Sequence, residues 1–166
     1  MDLPNGVKPH IFKKDENLYF LTCHPDMIQY DRLHLEPRIP YRRGNGENNC
    51  ISRVCLGNRL YRILKAVPII WNDEDYQFYF TVYRAIGYNP EAIVEPDNTL
   101  VRDVKATNEL WSLEPVDLKK IGKLQVLDFE NCYFKDIING IEEWVGSRKN
   151  ISWKWIDKPT EKVRIK

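Results

Sequence analysis

The sequence predicts an α+β domain. Three observations predict it: short runs rich in β-branched and aromatic residues bounded by turn residues, two stretches with apolar residues at helical spacing, and a mixed order of the two rather than a regular βαβ alternation. The chain has 166 residues, the size of one domain, and its 43% hydrophobic and 12% aromatic content suits a packed core.

Residues 1–17 carry Pro4, Gly6 and Pro9 among polar residues and read as a loosely attached arm; residues 18–166 read as the domain proper. Leu18 to Thr22 (LYFLT) is a first strand, broken by His24-Pro25-Asp26. Residues 35–40 (LEPRIP) are held extended, because a residue before proline is pushed out of helical geometry. A polar, glycine-rich loop follows over residues 41–50. Ile51 to Leu56 is a second strand, ended by Gly57-Asn58, with Asn58 suited to cap a helix. Leu60, Ile63, Leu64 and Val67 form one helical face, which Pro68 stops. Tyr76 to Ile86 is a third strand, apolar on both faces, and residues 87–108 read as irregular. Glu109 to Val116 and Gly122 to Phe129 are a fourth and a fifth strand. Phe134, Ile137, Ile138, Ile141, Trp144 and Val145 mark a second helix, weakened by Gly140. Ile151 to Ile156 is an edge strand before a charged tail.

Charge is balanced, with 25 Lys+Arg against 24 Asp+Glu, so no general attraction to nucleic acid or to an anionic membrane follows. The four cysteines form no C-x-x-C pair, and the three histidines, His10, His24 and His34, form no metal-binding pattern. No metal site is expected. The N-terminal residues lack a signal peptide's apolar run, and no segment approaches the ~18 apolar residues of a membrane span. Reduced thiols in a cytoplasm and no membrane partner are the expectation. No G-x-S-x-G elbow or P-loop is present, which removes support for common serine hydrolases and nucleotide triphosphatases.

Three segments are rich in candidate chemistry. Arg53 shares a strand face with Ile51 and Cys55, and a guanidinium there requires a carboxylate, backbone carbonyls or a bound anion. An internal ion pair with Glu109 or Glu114 is the structural alternative. Arg38, between Pro37 and Pro40, is either presented to a ligand or part of a rigid loop. Glu109 shares a face with Trp111 and Leu113, and is either the rim of a cleft or a solvated strand end. The junction Leu56-Gly57-Asn58 leads into a helix whose first N–H groups favour an anion. Aromatic content and Arg42-Arg43 raise nucleic-acid binding as a third alternative, but the aromatic strands are apolar on both faces.

Taken in order, LYFLT, LEPRIP, SRVCLGN and NELWSLEPV give the stretch Leu18 to Val116 a resemblance to small bacterial and phage proteins of the ADP-ribosyltransferase-like family. The resemblance implies a split β-sandwich with NAD⁺ as substrate in a cleft between two sheets. It places Tyr19 and Thr22 in the first-strand motif, Arg53 to Asn58 in the second, and Glu109 as the late-strand catalytic acid. Arg38 or Arg53 would hold the diphosphate, and Tyr19 or Phe20 would flank the nicotinamide. The implied reaction cleaves the nicotinamide–ribose bond and transfers ADP-ribose to an unknown acceptor, protein or nucleic acid, as a toxin or phage-conflict effector would. The chain departs from many relatives at Phe20, where they have His, and at Gly57-Asn58, where they have Ser or Thr. A non-catalytic nucleotide- or protein-binding module on the same fold is the alternative.

Overall fold

The computed structural model describes residues 2–40, 48–69 and 78–166. Arg42-Arg43 and the first residues of the expected third strand lie outside them. Strand far outweighs helix. The strands are β1 (Val7–Pro9), β2 (Tyr19–Thr22), β3 (Arg32–Leu35), β4 (Val54–Leu56), β5 (Tyr79–Gly87), β6 (Ile93–Pro96), β7 (Leu110–Ser112), β8 (Val116–Ile138) and β9 (Ile141–Asp157). The helices are α1 (Pro25–Ile28), α2 (Leu60–Ala66) and α3 (Val104–Thr107).

Among the described residues all strand pairs are antiparallel. One sheet has the order β1-β6-β7-β4; the other has the order β2-β5-β8-β3, with β9 paired to β8. Leu18, Tyr83, Ala85, Val116 and Leu118 of the larger sheet meet Val54, Leu56, Ile93 and Leu110 of the smaller in one buried cluster, so the two sheets pack face to face. The opposite face of the larger sheet is covered by α2, whose Leu60, Ile63 and Leu64 pack against Leu21, Phe80, Val82 and Leu124. The helical spacing read from the sequence has its cause here: those apolar residues form one buried stripe.

The second expected helix is a correction. Residues 134–145 belong to the β8–β9 hairpin, with Phe134 opposite Val145 and Ile138 opposite Ile141. Asp136 and Ile138 are buried while Tyr133, Lys135 and Ile137 are exposed, a period of two. The turn is Asn139-Gly140, with φ of 52° and 77°, the pair that a two-residue hairpin favours. Gly140 is thus the residue the turn needs, not a weak point in a helix.

Residues 1–17, expected as a loose arm, contribute β1 to the smaller sheet. A polar chain fastens the segment further. Lys8 Nζ lies 3.3 Å from Glu95 Oε2, His10 bridges Glu95 (3.1 Å) and Glu16 (2.7 Å), and Asn58 Nδ2 donates to Glu16 Oε1 at 2.7 Å. Asn58 therefore does not cap α2; Arg59 stands at the cap position, without a side-chain bond. The first N–H groups of α2 are also engaged within the chain, Leu60 donating to Arg164 O and Tyr61 to Ile165 O, both at 2.9 Å. The anion site expected at this junction is occupied by the protein's own tail carbonyls. The irregular stretch 87–108 holds β6 and α3. Among the described residues no helix is long and apolar enough to cross a membrane.

Gly140→Ala tests the hairpin by sign. An added Cβ would meet nothing within 4 Å, so only the backbone responds. In a helix, Ala in place of Gly would stabilise by about 1 kcal/mol. In this positive-φ turn it costs about 1 kcal/mol, read as a lower urea midpoint with an unchanged slope.

Candidate functional site

The bridge between Tyr19 and Gly57 joins an edge of each sheet, with Tyr19 N–H donating to Gly57 O at 2.7 Å and Gly57 N–H to Tyr19 O at 3.1 Å. Beside this junction lies a cavity of about 580 Å³. Phe20 and Leu21 of β2 and Cys55 and Leu56 of β4 line it, as do Thr107 and Glu109 around the end of α3. The C-terminal end of α2 and the middle of the hairpin complete its walls, contributing Lys65, Tyr133 and Arg148.

Glu109 is positioned by three local features. Arg62 of α2 donates to Ala106 O at 2.7 Å, tying down the end of α3. Asn108 then turns the chain in a left-handed conformation, φ 50°. Finally, the Trp111 indole N–H donates to Glu109 Oε1 at 2.6 Å. The alternation read from the sequence explains the last contact, since Glu109 and Trp111 share a strand face.

Register brings the second motif to the same face, because Cys55 lies opposite Trp111. Arg53, two residues before Cys55, lays its guanidinium over the indole ring, 4.1 Å from the centroid. Its Nη1 donates to Ile51 O at 2.9 Å and Asn48 O at 3.1 Å. Arg53 is only 1% exposed and does not line the cavity. An aromatic face and backbone carbonyls supply much of what a buried guanidinium requires. Glu114 is placed elsewhere and accepts from Asn89.

Of the six residues singled out from the sequence, Glu109 alone lines the cavity. Tyr19 is buried in the core, its hydroxyl accepting from Arg164 N–H at 3.4 Å. Thr22 is buried, and its hydroxyl accepts from His24 N–H at 3.1 Å. Asn58 is turned to Glu16. Arg38 is exposed, and its backbone exchanges two hydrogen bonds with Arg53, at 3.0 and 3.1 Å. The motifs converge on the cavity through neighbours instead: Phe20 beside Tyr19, and Cys55 beside Arg53.

The cations on the cavity wall are ones the sequence did not suggest. Arg148 Nη1 donates to Leu64 O, Lys65 O and Val67 O at the end of α2, at 3.1, 3.2 and 2.5 Å. Burial lowers its pKa from the ordinary guanidinium range, and Asp103 on the same wall opposes that shift. With residues 134–145 read as a helix, nothing in the sequence could place Arg148 against α2. The Cys55 thiol is pushed well above its ordinary range, first by burial and then by Glu109, while Arg53 acts the other way. It stays neutral at physiological pH and is a poor nucleophile. Gly57 has a steric reason: a Cβ there would lie 2.3 Å from Ile63 Cγ1, so Ser or Thr could not stand there without displacing the Ile63 side chain. Among the described residues, no group of three or more His, Cys, Asp or Glu side chains is arranged to hold a metal.

Comparison of the chain with protein-family models, with curated proteins and with solved structures finds no match.

The hairpin wall is held over the cavity from its far end. Asp136 accepts from Lys105 Nζ at 2.5 Å and from Asn98 Nδ2 at 3.1 Å, and Arg102 pairs with Glu143. Lys105, and after it Asn98, hold the Asp136 carboxyl below its ordinary value of 3.8. A depressed carboxyl contributes stability above its unfolded pKa and loses it as pH falls through the folded one. Asp136→Asn should therefore lower the melting temperature at neutral pH, and the gap to the parent should close as pH is taken below 3.8.

Proposed function

We propose that the cavity binds NAD⁺ and that the chain is an ADP-ribosyltransferase-like protein with Glu109 as its catalytic carboxylate. The observation that carries this reading is convergence. Phe20, Cys55-Leu56 and Glu109, one from each of three motifs far apart in sequence, line one cavity. Its volume of about 580 Å³ falls within the range of small-molecule and cofactor sites.

The chemistry suits the wall. Cleavage breaks the bond from the ribose C1′ to the nicotinamide nitrogen, and nicotinamide leaves with the bonding electrons. Positive charge then develops on the ribose ring, as in glycoside cleavage. A fixed Glu109 carboxylate stabilises that charge and takes the proton from the acceptor nucleophile that adds to C1′. Lys65 and Arg148 are the wall's cations for a diphosphate, and Phe20 and Tyr133 its aromatic rings. Arg53 is not assigned to the diphosphate, because it is buried and does not line the cavity.

A second reading, a nucleotide-binding module without turnover, draws on Phe20. That residue lines the cavity with an apolar ring where many members of the resembled family present a histidine.

Incubation with NAD⁺ and cell lysate separates the two. The enzyme reading expects nicotinamide release that falls by about 100-fold or more in Glu109→Gln. Calorimetric NAD⁺ binding with no release supports the second reading, and neither binding nor release removes both.

A further inference from the structure

We infer that Trp111 is a positioning residue for Glu109, and that Arg53, which does not line the cavity, sets the position of Trp111. This rests on the reading of Glu109 as the acting carboxylate. A glutamate at a strand end loses considerable side-chain freedom when it is held in one orientation. The Trp111 indole has only a donor to offer, is 0% exposed, and spends that donor on Glu109 Oε1 at 2.6 Å. A buried ring cannot follow a wandering carboxylate, so the carboxylate follows the ring.

The ring is fixed in turn. The Arg53 guanidinium lies over its face at 4.1 Å and is anchored by the carbonyls of Asn48 and Ile51. A cation on the π face draws electron density from the indole and makes its N–H a stronger donor. The sequence Arg53, Trp111, Glu109 thus runs from a sealed charge to the cavity wall. Cys55, between Arg53 and Glu109, is a neutral thiol that also hydrogen-bonds Glu109, so the rigid indole shares the carboxylate with a weaker donor.

The test is a double-mutant comparison of nicotinamide release. Trp111→Phe should lower kcat between about 10- and 100-fold, the cost of misplacing a reacting group by up to about an ångström, with KM little changed. Combined with Glu109→Gln it should cost nothing further. Arg53→Lys, which keeps the charge and loses the planar stack, should act in the same direction by less, and carries the comparison if Trp111→Phe does not fold. Equal loss with and without Glu109→Gln, or a loss confined to KM, overturns the inference and leaves Trp111 as core.

A readout independent of turnover is the Trp111 indole N–H resonance, assigned by its absence in Trp111→Phe. It should move upfield in Glu109→Gln and shift in Arg53→Lys. A resonance unmoved by Glu109→Gln overturns the positioning role even in an active enzyme. If the wild type releases no nicotinamide, the functional reading falls, while the resonance still decides whether Trp111 holds Glu109.

Discussion

The candidate site depends on the pair of backbone hydrogen bonds between Tyr19 and Gly57. Tyr19 opens β2, an edge strand of the larger sheet, and Gly57 follows β4, an edge strand of the smaller, so the pair stitches one sheet to the other. That stitch sets Phe20 and Leu21 beside Cys55 and Leu56. It also sets the close approach of Gly57 to Ile63, which leaves no room for a Cβ and lays α2 along the larger sheet. Once α2 is there, its end meets Arg148 and its Arg62 holds α3. Glu109 follows from α3 by one left-handed residue. The cavity is thus a consequence of how the two sheets are joined.

This explains which parts of the molecule were legible in the sequence. Strand faces are local, so alternation correctly placed Arg53 with Cys55 and Glu109 with Trp111. Register is not local. That Cys55 lies opposite Trp111, and that Tyr19 lies opposite Gly57, follows from pairings between distant segments that no periodicity encodes. Arg53 shows the same division. The demand that its charge be satisfied was readable from its apolar surroundings. That an indole face and two carbonyls would meet much of it was not, since they come from β7 and from the loop before β4.

The hairpin failed for a different reason. Phe134, Ile137, Ile138, Ile141, Trp144 and Val145 fit a helical period about as well as they fit alternation on two paired strands. The residues that decide are Asn139 and Gly140, which favour left-handed backbone and close a two-residue turn. Reading Gly140 as a helix defect concealed more than one element. It took away the wall that carries Tyr133 and Arg148, one of the two cations that border the cavity. Arg38 and Arg53, the arginines that the motifs single out, are used by the fold for the loop and for the ring.

The state of Cys55 narrows the chemistry that remains. A thiol in a cavity beside a guanidinium invites a reading as a nucleophile, and Arg53 does favour the thiolate. Burial and Glu109 together outweigh it, and the thiol stays neutral. The balance is physical: one cation shared with an indole face and two carbonyls offsets little of the cost of desolvating a thiolate next to a carboxylate. In the proposed reading, a neutral thiol beside Glu109 leaves the carboxylate, which accepts from the buried Trp111 indole, as the acting group of the pair. Stabilising positive charge and accepting a proton are the roles that the proposed function asks of Glu109.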